Sequence, residues 1–111
     1  VWESLLAAEE LEKEGISCEV INIHTIKPLD EEIILKSVEK TGKIVTAEEH
    51  NYLGGLGESV AGMLSRKRPT PQEFVAVNDT FGESGTPAEL MHKYEIDAEA
   101  VVKAVKRVLA R

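Results

Sequence analysis

The sequence predicts an α/β domain whose largely parallel sheet is covered by helices on both faces. Three observations carry that prediction. Short β-branched runs at 16–24, 43–48 and 74–77 alternate with stretches of helical periodicity, the pattern of strand–helix–strand units. The run at 43–48, KIVTAE, has the continuous apolar character of a strand buried on both faces. Helix stop and start residues stand where the periodicity changes, at Gly15, Asp30, Gly42 and Thr86-Pro87. The 111 residues suffice for one domain, 1–111, with its own core.

The elements follow in order. A first helix is predicted over 2–14, with Trp2, Leu5, Leu6 and Leu11 at helical spacing and Gly15 as its C′ glycine. Residues 16–24, ISCEVINIH, read as a strand that Lys27-Pro28 halts. Asp30 is the expected N-cap of the next helix. Glu31 and Glu32 suit its positive end, Leu29 can staple onto Ile34, and Gly42 stops it. After the strand 43–48, Gly54-Gly55-Leu56-Gly57 opens a third helix with Leu56, Val60, Met63 and Leu64 facing the core, and the basic run Arg66-Lys67-Arg68 ends it. A last strand is expected over 74–77. Thr86-Pro87-Ala88-Glu89 then starts a helix with an N-cap Thr, Pro at N1 and Glu at N3. Asp97 is expected to cap a separate final helix, whose Val101, Val102, Val105, Val108 and Leu109 line one face.

The predicted order is αβαβαβαα. Three strands make a thin sheet, and the first helix begins without a capping side chain, so the chain reads as a fragment whose sheet lacks at least one strand preceding Val1.

Composition narrows the function classes. The net charge of −7 argues against unassisted binding to nucleic acid or an anionic membrane, since both need a basic surface. No apolar run approaches the roughly 20 residues that span a bilayer. One cysteine, Cys18, cannot form an intramolecular disulfide, which points to a cytoplasmic domain. Cys18 falls inside a predicted strand, as a small apolar residue. No His or Cys pair has metal-ligand spacing.

Ligands of open α/β sheets sit at the carboxyl ends of the strands, which singles out the turns at 24–27, 48–51 and 78–80. His50 beside Glu48 and Glu49 has the makings of a general base, yet successive residues of a strand point apart and no nucleophile elbow accompanies it. Gly55-x-Gly57-x-x-Val60 stands where a dinucleotide fingerprint would, with Asn78-Asp79 at a plausible distance for a ribose. Val60 replaces the small third residue that close helix–strand packing needs. The N–H groups of that turn could still receive an anion; the plainer reading is a tight turn. His24 and His92 read as a strand-end polar residue and an exposed helix residue. Residues 81–85, FGESG, read as a docking turn, with Phe81 as its anchor.

Three stretches resemble a known family. Residues 79–90, DTFGESGTPAEL, resemble the segment near the C-terminus of transketolases; 44–58, IVTAEEHNYLGGLGE, resemble the middle of the same domain; and 20–30, VINIHTIKPLD, resemble its strand and turn. Together they make nearly the whole chain similar to the C-terminal domain of transketolase-like thiamine diphosphate enzymes. The resemblance implies a three-layer α/β/α sandwich of about five mostly parallel strands. It also implies a parent enzyme that moves two-carbon ketol units between sugars with thiamine diphosphate and Mg²⁺ (or Ca²⁺), bound between a pyrimidine-binding and a diphosphate-binding domain. The chain carries neither the G-D-G motif nor the activating-glutamate motif of those domains. The implied role is therefore non-catalytic: packing on the pyrimidine domain and holding a homodimer. Expected contacts fall on His50, Asn51, Gly54, Gly55 and Gly57, and on Phe81, Glu83 and Ser84, with no catalytic, cofactor or metal residue. A stand-alone anion- or nucleotide-binding module at Gly54–Gly57 is the alternative. A hydrolase using His50 is the weakest reading.

Overall fold

The computed structural model describes residues 2–21, 29–49, 55–77 and 86–111. In them α1 (Trp2–Lys13), α2 (Glu31–Thr41), β1 (Ile44–Glu49), α3 (Gly55–Lys67), β2 (Gln72–Val77) and α4 (Pro87–Leu109) follow in order.

The helix ends obey local chemistry. At the close of α1, Ile16 N–H donates to Leu11 C=O and Gly15 N–H to Glu12 C=O. With Gly15 at φ +82°, this is a Schellman closure that turns Ile16 back onto the core around Leu11. α2 starts at Asp30, whose carboxylate accepts from Ile33 N–H. It ends at Gly42, at φ +74°, whose N–H donates to Val38 C=O. Leu29 packs against the cluster that holds Ile34, as a staple requires. Thr86 caps α4 by accepting from Glu89 N–H, with Pro87 in the first turn.

β1 and β2 pair in parallel, Ile44 opposite Gln72 through Glu49 opposite Val77. Helices cover both faces of the pair. On one, Ala7 and Leu11 of α1 meet Val75 and Val77 of β2 and the α4 residues Ala98, Val101, Val102 and Ala104. On the other, Ile34 and Val38 of α2 meet Val60, Met63 and Leu64 of α3. The architecture is the expected α/β/α layering about a parallel sheet. Leu11 and Met63 are among the largest fully buried side chains, and truncating either to Ala would cost roughly 2–5 kcal/mol.

Four expectations are corrected. Residues 16–21 do not join the sheet, and 22–28 lie outside the described residues; among those described, the sheet has two strands, not three. The Schellman turn binds Ile16 to α1, and Glu19 pairs with Lys40 of α2 at 3.4 Å, so side chains hold this segment away from β1. A cavity of about 680 Å³ lies between them. The last two helices are one, α4, because nothing between Tyr94 and Asp97 breaks a helix; Asp97 is buried inside it. β2 begins at Gln72, two residues early, because Ile44 N–H donates to Pro71 C=O and so starts the ladder there. Finally, Leu109, expected on one face with Val101, Val102, Val105 and Val108, is about half exposed, as is Leu5 of the apolar spacing in α1, where Ala7 and Leu11 are the buried residues.

Candidate functional site at the α3 N-terminus

Three elements meet where α3 begins. β1 ends in Glu48, whose side chain reaches the first turn of α3. Its Oε2 accepts from Leu56 N–H at 2.8 Å and its Oε1 from Gly57 N–H at 3.4 Å. A carboxylate there satisfies two of the donors that every helix leaves unpaired and complements the positive end of the dipole. Directly beneath, the Gln72 amide of β2 donates to Thr46 Oγ1 at 3.2 Å and to Gly57 C=O at 3.1 Å. Thr46 is buried, and its hydroxyl would be costly to leave unpaired there. Among the described residues no buried side-chain polar atom lacks a partner.

Gly57 makes this junction possible. It is buried, and its Cα lies against the ring of Phe74, so closely that an added Cβ would stand 2.5 Å from Phe74 Cε2 and 3.2 Å from Thr46 Oγ1. Gly57 therefore permits close helix–strand approach, the task a fingerprint would give its third small residue. Phe74 itself remains about half exposed.

Of the residues singled out in the sequence, Gly55 and Gly57 are at this junction. His50, Asn51 and Gly54 lie outside the described residues, as do Phe81, Glu83 and Ser84 and the Asn78-Asp79 pair. Glu48, Thr46 and Gln72 form the polar core of the junction and were not singled out as its builders. Only Glu48 carried a signal, as a carboxylate ending a strand shortly before a helix start. At Leu56 and Gly57 the helix-start N–H groups are already taken by the Glu48 carboxylate.

His92 is exposed on α4, as expected. Cys18 is half-buried against the α1–α4 cluster, and burial pushes its thiol pKa up. Among the described residues no three His, Cys, Asp or Glu side chains converge as metal ligands, and no helix is long and apolar enough to cross a membrane.

Comparison with known proteins gives a consistent result. Residues 1–101 match the family model described as "Transketolase, C-terminal domain". A 6-deoxy-6-sulfo-D-fructose transketolase subunit of Clostridium sp. (strain MSTE9) is 47% identical over 111 residues, which cover 100% of this chain and 34% of that protein. Transketolase of Mus musculus is 42% identical over 110 residues, 98% of this chain and 18% of that protein. A solved structure, described as a split gene transketolase, inactive beta4 tetramer, superposes with a TM-score of 0.77 at 44% identity, covering 97% of this chain and 34% of that one. The chain thus spans between about a fifth and about a third of the length of these relatives.

Proposed function

The chain belongs to the transketolase C-terminal domain family, and on that footing we propose that it is a non-catalytic domain or subunit of a transketolase. The parent transfers two-carbon ketol units between sugar phosphates in the cytoplasm, using thiamine diphosphate and a divalent cation, Mg²⁺ or Ca²⁺. The chain's own task is to pack on the pyrimidine-binding and diphosphate-binding parts and to support their dimer. The observation that supports this reading is the polar junction at α3: Leu56 and Gly57 N–H donate to Glu48, and the Gln72 amide ties Thr46 to Gly57 C=O as a knit support between strand and helix. The described residues do not fit thiamine diphosphate. No step of the ketol transfer is therefore assigned to them.

The test compares the parent enzyme with and without this segment. Calorimetric titration of the isolated chain with thiamine diphosphate and Mg²⁺ is expected to show no binding heat. Removing the segment from the parent is expected to lower its dimer fraction while leaving cofactor affinity in the remainder within a few-fold. Saturable cofactor binding by the isolated chain, or an unchanged dimer on its removal, would sink the proposal. Titration with NAD or ATP separates the nucleotide-module alternative, which requires binding that Gly55→Val abolishes.

A further inference from the structure

We propose that the edge of β2 turned away from β1 pairs with the same edge of a second copy of this chain, antiparallel about a two-fold axis at Val75. The direction of the amides decides which groups are on offer. Ile44 lies opposite Gln72 and its N–H donates to Pro71 C=O, so the odd-numbered residues of β2 address β1. Main-chain groups alternate along a strand, which turns those of Gln72, Phe74 and Ala76 to the other side. There the Arg111 guanidinium donates to Gln72 C=O at 2.6 Å. Among the described residues nothing meets the outward main-chain groups of Phe74 and Ala76, and both residues are exposed. Such an edge is a template for another strand.

Soluble proteins ordinarily blunt an edge strand with proline, lysine or a bulge. β2 has none of these: residues 72–77 hold neither proline nor lysine, and the pairing with β1 runs unbroken from Gln72 to Val77. Its exposed face is apolar, with Phe74 47% exposed and Ala76 two residues on. Its one charge, Glu73, is already held by Arg107 and Arg111 at 2.9 Å. The register argues for a second copy as the occupant. An axis at Val75 sets Phe74 against Ala76 of the second copy and Ala76 against its Phe74, so the free main-chain groups of each satisfy those of the other. Large meets small in both pairs. Val75 faces Val75 and Glu73 faces Val77, so like charges never stand opposite. Moving the axis to Phe74 would set ring against ring and draw in Gln72, whose C=O Arg111 already fills.

The experiment is cysteine cross-linking of the full-length protein that carries this chain, in a Cys18→Ser background, with bridged peptides identified by mass spectrometry. Facing residues of a non-hydrogen-bonded antiparallel pair have Cα atoms about 4.5 Å apart, within the span of a disulfide. Val75→Cys is therefore expected to bridge two copies through residue 75 on mild oxidation. Val77→Cys should bridge through residue 77 about tenfold more slowly or less, because the axis sets the two positions roughly four residues apart. Ala76→Pro removes an N–H that β1 does not use and so spares the chain's own ladder. Added to Val75→Cys, it should slow the bridge about tenfold with the circular-dichroism spectrum unchanged. No bridge at 75 in folded protein, equal rates at 75 and 77, or a rate untouched by Ala76→Pro each overturns the proposal. The wild type tests it without substitution, since fast hydrogen exchange at both the Phe74 and Ala76 amides also overturns it. Protection of those amides in protein that forms no bridge does the same, because a different strand then fills the edge. The proposal does not rest on the function proposed above, which assigns this edge no role.

Discussion

At Gly57 an added methyl group would collide with the Phe74 ring and crowd Thr46 Oγ1, while nothing stands within 4 Å of the same addition at Gly42. Two glycines thus serve different purposes. Gly57→Ala is expected to destabilise the fold by roughly 1–3 kcal/mol through overpacking, and Phe74→Ala in the same chain should recover part of that loss because it vacates the space. Denaturant titration of the two variants and the double mutant checks this; additive losses would show that Gly57 and Phe74 do not compete for one volume. Gly42→Ala meets no neighbour and should cost about 1 kcal/mol through its positive φ alone. Glu48→Ala removes the acceptor for Leu56 and Gly57 N–H and should cost about 1 kcal/mol, as losing a helix cap does. Glu48→Gln keeps one acceptor oxygen and should fall between Ala and wild type in thermal denaturation.

The elements divide by how local their causes are. The caps at Asp30 and Thr86 and the glycine stops at Gly15 and Gly42 were legible because each is decided within one turn of chain. The burial of Val60, Met63 and Leu64 was legible from helical period. Other features depend on distant neighbours and left little mark in the sequence. Gln72 and Glu73 join β2 because β1 lies beside them, and nothing in their own identities favours a strand. The candidate site was legible only as a glycine turn, since its Glu48 carboxylate and Gln72 amide become partners through tertiary packing. The continuity of α4 was misread because Asp97 has the chemistry of a cap, whereas a cap ends nothing unless the residues before it leave the helix. Ala98→Pro tests that point. With two helices, proline would fall at a tolerated first position; in one continuous α4 it should cost about 3 kcal/mol or more. Thermal denaturation followed by circular dichroism distinguishes the two.

Over the whole molecule, charge is concentrated where α4 ends. Arg107 and Arg111 both pair with Glu73 at 2.9 Å, Arg111 also donates to Gln72 C=O at 2.6 Å, Lys106 holds Glu14, and Lys43 reaches the carbonyls of Leu109 and Arg111. The hydrogen bond from Arg107, with its charge and that of Arg111, holds the Glu73 carboxyl below its ordinary value of 4.5. A carboxylate with a depressed folded pKa stabilises the fold above its unfolded value and loses that contribution as pH falls through the folded one. The difference in Tm between wild type and Glu73→Gln should therefore be present at neutral pH and shrink on acidification below about 4.5. A difference constant across that range would show that Glu73 acts through packing alone. High salt should narrow it at neutral pH, since these pairs are partly exposed. The placement of these pairs also gives the molecule a direction of opening. The half of α4 that carries them is the half whose Ala98, Val101, Val102 and Val108 are buried, whereas Met91 and Ile96 nearer its start are about half exposed. Sub-global unfolding should thus run as a zipper from the Pro87 end toward the Leu109 end, with the riveted end parting last and only in the global transition.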